Sequence, residues 1–456
     1  MKLPAYPKYT SSGVEWLGDV PEHWEVKRLR RVLEESLQYG ANESAELDDP
    51  DLPRYVRITD VHENGTLRAD TFRSLPKDVA TPYLLEDGDL LFARSGATSG
   101  KTFLYQKSWG VCAYAGYLIR ARMNQRKAVP AFIKYFTTST SYWQWLSSIL
   151  IQSTIQNVSA EKYADLQVSL PPLVEQHAIA AFLDRETNRI IRLVAKKREL
   201  IERLKEKRTV LISRAVKCGL ARAAARVPGL SENLTLKLSR IEWLGEIAHH
   251  WRVSPIKFVV STPVTDGPHE TPEILDDGIP FVSAEAISNR RINFDKIRGH
   301  ITVDDHKRFS RKYKPKRGDI YLVKSGATTG RVAMVETDLE FNIWSPLAAI
   351  RCDPRLAERR FMFYYMQSKE FQTAIELSWN YGTQQNIGMG VIQNLAVPIP
   401  PLPEQFAIAS YLDKETAKLD GLIKKVDEAI ERLQEYRTAL ITAAVTGKID
   451  VRKAVA

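Results

Sequence analysis

A glycine-rich segment that occurs twice carries the residues of this 456-residue chain best suited to binding phosphate. The first copy, Gly96-Ala-Thr-Ser-Gly-Lys-Thr102, looks like a nucleotide-binding loop, in which backbone N–H groups surround a phosphate. However, it has three residues between its glycines where the nucleotide loop has four, and the second copy ends in Arg331 instead of a lysine. Apolar and polar residues alternate on both sides, which predicts a β-hairpin tip and argues against ATP binding.

Polar side chains at the two predicted tips could contact the phosphates of a nucleic acid, together with exposed backbone N–H groups. The alternative interpretation is that the glycines only close a tight turn, and both interpretations stay open for each residue. The candidate phosphate contacts are Arg94, Ser95 and Lys101 in the first copy and Lys324, Ser325 and Arg331 in the second.

A second repeated segment carries amides, which can form paired hydrogen bonds with adenine in the major groove. It comprises Gln156 and Asn157 in the first copy and Gln385 and Asn386 in the second. Because both copies retain the same amides, we favour a shared structural or phosphate-positioning role over base readout. All four residues are kept as candidate DNA contacts.

Both segments belong to an internal repeat that extends over nearly the whole chain. Residues 13–24 have their counterpart in residues 240–251, and residues 171–187 recur without a gap at 400–416, which lies 229 positions further on. The last pair opens with prolines, which are tolerated before or in the first turn of a helix but not inside it. The repeat therefore predicts the order globular unit, long helix, globular unit, long helix.

Each predicted long helix carries apolar residues at intervals of seven, interrupted in the first helix by Lys197, with a second set three or four residues on, as in a coiled-coil seam. Such a stripe needs a partner, and the nearest equivalent is the other helix, so the pattern predicts that the two helices pair. The alternative is that each helix lies on its own globular domain. The predicted seam consists of Leu183, Ile190, Leu193, Leu200, Leu204 and Leu211 in the first helix and Leu412, Leu419, Leu422, Val426, Leu433 and Leu440 in the second.

Within the globular units, alternating and helical patterns together predict an α+β fold with mixed α/β domains. Strands are expected at residues 55–59, 90–94, 101–105 and 112–120, and helical runs at residues 130–150 and 356–377. The predicted organisation is a first domain at 1–170, a long helix at 171–219, a linker at 220–237, a second domain at 238–399, a second long helix at 400–448 and a tail at 449–456.

The composition is that of a soluble protein with a basic excess. The formal net charge is +10, and much of the excess lies on the first long helix, which suggests DNA or an acidic protein surface as partner. Three distant cysteines and the lack of a signal peptide or a membrane-spanning run predict a reduced, cytoplasmic protein without a membrane partner. The eight histidines form no metal-ligand pattern, and no methyltransferase or nuclease motif is recognisable, so we expect no metal site and no catalytic residues.

Together these motifs resemble the specificity (S) subunits of type I restriction–modification systems. The family shares the Trp-Leu-Gly…Trp opening, seen here at residues 16–24 and 243–251, and the Gly-Asp…Ser-Gly…Gly hairpin, seen at residues 88–101 and 318–331. It also shares the Gln-X-Asn segment and the Pro-Pro-Leu…Glu-Gln…Leu-Asp helix start. Each motif appears twice here and in the family's order, so the resemblance covers nearly the whole chain.

The resemblance implies two target-recognition domains, each reading one half of a split site on double-stranded DNA, with two antiparallel long helices as the spacer between them. It also implies a subunit that catalyses nothing and binds no cofactor itself. Two methyltransferase (M) subunits would dock on it and carry S-adenosylmethionine. Translocase/nuclease (R) subunits, which use ATP and Mg²⁺, would associate with them.

Under this interpretation, residues that differ between the two copies are the better candidates for reading DNA sequence. They are Arg57, Thr59 and Asp60 in the first domain and Ser283, Glu285 and Ala286 in the second. Two other classes of function stay open: an enzyme with a degenerate nuclease or methyltransferase motif, and a structural adaptor that holds two partner proteins without base readout.

Overall fold

The computed structural model describes residues 3–62, 65–150, 157–220, 235–379 and 386–452. The chain forms two compact units that are not continuous in sequence. Unit 1 comprises Met1–Lys197 and Asp427–Ala456, and unit 2 comprises Arg198–Val426. Each unit therefore contains one globular domain, the first part of the long helix that follows that domain, and the last part of the other long helix.

Unit 1 consists of short strands followed by helices. Its strands are β1 (Tyr9–Ser11), β2 (Asp19–Pro21), β3 (Glu25–Arg28), β4 (Gln38–Tyr39), β5 (Arg54–Val56), β6 (Leu90–Ala93), β7 (Thr102–Leu104), β8 (Cys112–Tyr114), β9 (Leu118–Ala121) and β10 (Gln167–Leu170). Its helices are α1 (Lys77–Ala80), α2 (Pro130–Phe136), α3 (Thr140–Leu150), α4 (Ala160–Ala164) and the first part of α5 (Leu173–Cys218).

Unit 2 has a similar composition of elements. Its strands are β11 (Leu236–Leu238), β12 (Glu246–Ala248), β13 (Arg252–Pro255), β14 (Thr265–Asp266), β15 (Ile279–Val282), β16 (Ile287–Ser288), β17 (Arg291–Ile292), β18 (Gly299–Ile301), β19 (Ile320–Val323), β20 (Val332–Met334), β21 (Asn342–Ile343), β22 (Leu347–Ile350) and β23 (Ala396–Ile399). Its helices are α6 (Val303–Ser310), α7 (Arg359–Tyr365), α8 (Lys369–Leu377), α9 (Met389–Asn394) and the first part of α10 (Leu402–Val445).

The two units repeat one sheet topology. A four-stranded antiparallel sheet has the order β4–β9–β6–β7 in unit 1 and β14–β22–β19–β20 in unit 2. A parallel pair (β5 with β8, β15 with β21) also recurs, as do the antiparallel pairs β1–β2 and β11–β12 and the pairs β3–β10 and β13–β23. The internal repeat of the sequence is thus a repeat of the fold.

Several predicted elements are shorter than their sequence patterns suggested. The run 112–120, predicted as one strand, forms β8 and β9 around a turn at residues 115–117, and β5 ends at Val56. The predicted helical runs 130–150 and 356–377 are each broken into two helices. The break has a local cause, because the hydroxyls of Ser139 and Ser368 accept hydrogen bonds from the backbone N–H groups of Tyr142 and Phe371 and so begin a new helix.

Two long-helix segments pack in opposite directions on the core of unit 1. Near the end of α10, the backbone carbonyl of Val445 accepts a hydrogen bond of 2.7 Å from Ser169, just ahead of α5. About two turns earlier in α10, Arg437 lies near Tyr135, whose hydroxyl donates to Asp184 at 2.6 Å, further along α5. The buried apolar residues of this core on the two helices include Ile179, Phe182, Leu183, Leu440, Ile441, Ala444 and Val445.

Unit 2 packs its helix segments in the same way, except that here the start of α10 packs beside the end of α5. The last turns of α5 contribute Ile212, Ala215 and Val216 to a core that also contains Ile408 and Leu412 of α10. Further from this core, Arg208 of α5 lies 3.3 Å from Asp420 of α10. As the residue numbers increase along α10, those of the neighbouring residues of α5 decrease. The two helix segments are therefore antiparallel within the unit.

The glutamate of the repeated Pro-Pro-Leu…Glu-Gln motif anchors the start of α5 to the opening segment of unit 1. The buried carboxylate of Glu175 accepts a hydrogen bond of 3.1 Å from Trp24 Nε1 and another from the hydroxyl of Tyr6, and it lies 2.9 Å from His23 Nε2. Burial and the hydrogen bond to Glu175 raise the pKa of Tyr6. These contacts explain why the tryptophan of the opening segment and the glutamate of the helix start occur together.

Among its described residues, unit 2 contains the equivalent contacts from a tryptophan and a histidine. Glu404 accepts a hydrogen bond of 3.1 Å from Trp251 Nε1 and lies 2.8 Å from His250 Nε2. The glutamine that follows has a second shared task. The side-chain oxygens of Gln176 and Gln405 each accept a hydrogen bond, of 2.8 and 2.7 Å, from a backbone N–H at the start of a domain helix. Their side-chain nitrogens donate to the carbonyl of the first proline of the motif.

Most residues of the predicted seam are sheltered from solvent. Leu183, Ile190, Leu412, Leu419 and Leu440 are buried, and Leu204, Leu211, Val426 and Leu433 are half-buried. The assignment of Leu193, Leu200 and Leu422 to the seam was wrong, because these side chains are 42%, 44% and 48% exposed.

The adjacent residues Val194 and Ile201 are buried instead, and Ile423 is half-buried. An aliphatic residue therefore occupies both the seam position and its neighbour, so hydrophobicity alone does not distinguish them. Polar residues also occur in the seam register. Thr187 lies seven residues before Val194 and Arg208 lies seven residues after Ile201, and both are buried.

Among the described residues, no helix is long and apolar enough to cross a membrane. The same part of the chain contains no group of three or more His, Cys, Asp or Glu side chains that could hold a metal ion. Cys112, Cys218 and Cys352 are free thiols.

Candidate nucleic-acid interface

The predicted hairpin tips are hairpins in both units. In unit 1, β6 and β7 pair antiparallel, with Leu90 opposite Leu104, and the tip begins at Gly96 with a φ of +74°. In unit 2, β19 and β20 pair with Ile320 opposite Met334, and Gly326 has a φ of +94°. Residues other than glycine rarely adopt this left-handed backbone conformation, which accounts for the glycine at the same place in both tips.

The repeated asparagines lie against these hairpins. Ser95 forms an antiparallel bridge with Asn157, and Ser325 forms one with Asn386. The N–H of the residue after each asparagine donates a hydrogen bond of 2.8 Å to the carbonyl of Arg94 or of Lys324. The two repeated motifs therefore meet at one place in each unit. Gln156 and Gln385 lie outside the described residues.

Arg94 is held at this place in unit 1 by an aromatic ring and an amide. Its guanidinium carbon lies 4.8 Å from the centre of the Tyr39 ring, a cation–π distance, and its Nε lies 3.4 Å from Asn157 Oδ1. The backbone N–H of Arg94 donates a hydrogen bond of 3.0 Å to the carbonyl of Tyr117, whose side chain is 64% exposed. Arg94 and the two tyrosines thus form a small surface that combines positive charge with aromatic faces, the chemistry that suits stacking against nucleic-acid bases.

Lys324 occupies the corresponding place in unit 2 but has different neighbours. Its ammonium group is buried and lies 3.3 Å from Asp266 Oδ2, and Lys312 lies 2.6 Å from Asp266 Oδ1. Burial raises the pKa of the Asp266 carboxyl, but the hydrogen bond and charge of Lys312 and the charge of Lys324 outweigh this effect and leave the pKa below its ordinary value. Lys324 is thus engaged in an internal ion pair in this structure.

The same framework therefore presents different groups in the two units. Tyr39 lies at the end of β4 and Asp266 at the end of β14, and these strands occupy the same edge of the two four-stranded sheets. One unit places an arginine on a tyrosine face, and the other places a lysine against a carboxylate. A pair of domains that read different DNA sequences needs this combination of a common scaffold and variable contacts.

The candidate specificity residues of unit 1 are largely engaged with one another. Arg57 Nε and Nη2 donate hydrogen bonds of 3.0 and 2.8 Å to the two carboxylate oxygens of Asp60, and this contact raises the pKa of Arg57. Asp60 is fully buried, whereas Thr59 beside it is exposed. In this structure the buried carboxylate of Asp60 fixes the position of the Arg57 guanidinium and does not face solvent.

The remaining candidates differ in their access to solvent. Ser283 and Ala286 are buried, whereas Glu285 is exposed and lies 3.8 Å from Arg298. At the hairpins, Lys101 and Arg331 are exposed and Ser95 and Ser325 are half-buried. The fully accessible charged candidates are therefore Lys101, Glu285 and Arg331.

Sequence reasoning did not single out Tyr39, Tyr117 or Asp266 as members of this surface. Tyr117 follows Gly116 inside an apolar run, and a glycine there is a signal for a turn that would have exposed the next side chain. Tyr39 and Asp266 have no such signal, because their partners are 55 and 58 residues away in sequence.

Comparison with known proteins places the chain among DNA specificity proteins. Residues 21–203 and 267–432 match the family described as type I restriction modification DNA specificity domain. The MjaVIII type I restriction enzyme specificity subunit of Methanocaldococcus jannaschii is 22% identical over 438 residues, which are 95% of this chain and 94% of that protein.

Two solved structures have the same fold. One, from a study of complex assembly and conformational transition of the type I R-M system, aligns with a TM-score of 0.69 at 19% identity, over 94% of this chain and 99% of the other. The HsdS subunit from Thermoanaerobacter tengcongensis aligns with a TM-score of 0.51 at 16% identity, over 94% and 98%. Because the two matched segments span well over half of its length, this chain belongs to the type I restriction modification DNA specificity domain family.

Proposed function

We propose that this chain is the DNA specificity subunit of a type I restriction–modification complex, in which each unit reads one half of a bipartite site. The single observation that carries the proposal is the repetition of the family match on two units of one topology, with different groups at the equivalent place. A recognition scaffold used twice, with Tyr39 and Arg94 in one copy and Asp266 and Lys324 in the other, supports two different half-sites.

The long helices act as the spacer in this proposal and as the docking surface for two methyltransferase subunits. Both helices present exposed apolar side chains, which a partner helix could cover. They are Leu193 and Tyr436 in unit 1 and Leu200 and Leu422 in unit 2.

The subunit itself supplies recognition and no chemistry. S-adenosylmethionine would be bound by the methyltransferase subunits, and ATP and Mg²⁺ by translocase/nuclease subunits that join the assembly.

The test is to express this chain with its methyltransferase partner in a host that lacks other DNA methylation and to map the methylated bases. We expect one interrupted motif with two unlike halves. Methylation without a defined motif, or a continuous motif, would contradict bipartite recognition. An adaptor that binds only proteins is distinguished by DNA binding of the complex, since phosphate contacts give an affinity that falls steeply with salt.

A further inference from the structure

A cleft in unit 2 brings together three arginines that the candidate interface does not use as a group. It lies between α5, the β16–β17 hairpin, the tip of the β19–β20 hairpin and the helices α7 and α8. Its volume is about 460 Å³, and none of the described residues that line it is acidic. Its polar lining residues include Arg208, Asn289, Arg290, Arg331, Gln367 and Gln372.

Arg208 lies on α5 at a position where the heptad pattern calls for an apolar residue. It is only 9% exposed, and burial followed by the charge of Arg290 lowers its pKa. Its two terminal nitrogens share one acceptor, Gln367 Oε1, at 3.4 Å, and its Nε lies 3.3 Å from Asp420 Oδ1 without a well-directed hydrogen bond among the described residues. A buried guanidinium with such weak contacts has donors left for another acceptor.

Arg290 reaches the same cleft from a strained turn. Asn289 and Arg290 form the two-residue connection between β16 and β17, with φ angles of +49° and +65°. Turns of this kind favour glycine at the second position, and the corresponding turn of unit 1, between Val61 and Leu67, contains Gly65 with a φ of +81°. An arginine in this conformation indicates a use for its side chain, whose Nη2 donates a hydrogen bond of 2.9 Å to Asp420 Oδ2.

The charges in the cleft do not balance. Arg208 and Arg290 share the carboxylate of Asp420, and the exposed Arg331 contacts, among the described residues, the carbonyl of Ile287 at 3.4 Å. Three guanidinium groups thus face one carboxylate, which leaves two positive charges for an external anion. The planar guanidinium fork matches the oxygens of a phosphate group.

We propose that this cleft binds a phosphate of the DNA backbone and so helps to orient unit 2 on its half-site. The inference rests on the proposed function, because Arg331 is at the tip of the hairpin that also carries the candidate DNA contact Ser325. Arg208 and Arg290 would hold the phosphate from the side of the helix, and Arg331 would hold it from the side of the hairpin.

The test measures binding of the full chain to a 24-base-pair duplex of arbitrary sequence by fluorescence anisotropy over a range of NaCl concentrations. Binding without sequence specificity depends on phosphate contacts, and each contact contributes about 0.9 to the slope of log affinity against log salt. We expect Arg290→Gly and Arg331→Gln each to lower the steepness of this slope by about 1 and to weaken binding at low salt. Glycine suits the left-handed turn, so Arg290→Gly keeps the fold.

Arg355→Gln is the matched control, since this arginine of unit 2 is 85% exposed, lies outside the cleft and pairs with Asp353. Its slope should equal that of the wild type. Slopes for Arg290→Gly and Arg331→Gln that equal the wild-type slope would overturn the cleft assignment while leaving DNA recognition intact. Wild-type binding that does not depend on salt would overturn the proposed function as well.

Two further outcomes concern the occupant. If inorganic phosphate at constant ionic strength raises the melting temperature of the wild type but the variants bind DNA normally, the cleft binds free phosphate and the proposal is wrong. If the variants bind DNA normally but lose a protein partner, the occupant is an acidic protein surface, which also overturns the proposal.

Discussion

Replacing Glu175 with alanine should destabilise the start of helix α5 more than the same change at Glu404. Glu175 accepts hydrogen bonds from two buried donors, Trp24 and Tyr6, and also contacts the partly exposed His23. Each buried donor left without an acceptor destabilises the fold by about 1–3 kcal/mol, so the expected loss is about 2–6 kcal/mol.

Glu404 provides an internal control for this magnitude. Among the described residues it accepts from one buried donor, Trp251, and contacts one partly exposed histidine, so its loss should amount to about 1–3 kcal/mol. Each change removes one buried carboxylate, so the desolvation cost that is relieved is similar in the two variants. The difference between the two variants, about 1–3 kcal/mol, isolates the contribution of Tyr6.

Hydrogen exchange of the full chain, followed separately in residues 173–187 and 402–416, measures both effects in one molecule. A difference of about 1–3 kcal/mol corresponds to a ratio of about 5–150 between the exchange accelerations of the two variants. Glu175→Gln, which keeps one acceptor oxygen, should fall between the alanine variant and the wild type. Equal acceleration at both sites, or a larger one at Glu404, would refute the assignment of Tyr6 to this hydrogen bond.

Three other predictions test the helices, the ion pair and the modular reading. Leu419→Asp should lower the melting temperature by placing an unpaired charge at a buried position, at a cost of several kcal/mol, whereas Leu422→Asp should have almost no effect because Leu422 is exposed; comparable losses would contradict the corrected seam. Because the folded-state pKa of Asp266 is lowered, its contribution to stability is present at neutral pH and is lost as the pH falls through that lowered pKa. Asp266→Asn should therefore destabilise unit 2 at pH 7 and flatten its acid unfolding curve, and an unchanged curve would count against the ion pairs of Asp266 with Lys312 and Lys324. Exchanging residues 238–399 for the equivalent segment of a relative should change one half of the methylated motif and spare the other, and a change in both halves would defeat the modular reading.

Local signals in the sequence were sufficient for the outline of the fold. Prolines followed by heptads predicted two long helices, and these begin at Leu173 and Leu402 and end at Cys218 and Val445. The hairpin tips were predictable because alternation and glycine spacing act over a few residues. The resemblance to specificity subunits was confirmed because it rests on ordered motifs, and such motifs are properties of the sequence itself.

The limits of the sequence were set by neighbours that are distant along the chain. Leucine at 193 and valine at 194 are equally apolar, and only packing within the unit decided which side chain is buried. Arg94 and Lys324 occupy one place in the repeat, yet one lies on a tyrosine ring and the other beside a buried carboxylate.

The basic cleft shows the same division most plainly. Arg208, Arg290 and Arg331 are separated by 82 and 41 residues in the chain, and nothing in their local sequences relates them. The sequence by itself determined the repeat, the long helices and the hairpins, because these depend on interactions between residues close in the chain. Only the tertiary structure decided which charges meet, because Coulomb interactions and hydrogen bonds depend on distances that the fold creates.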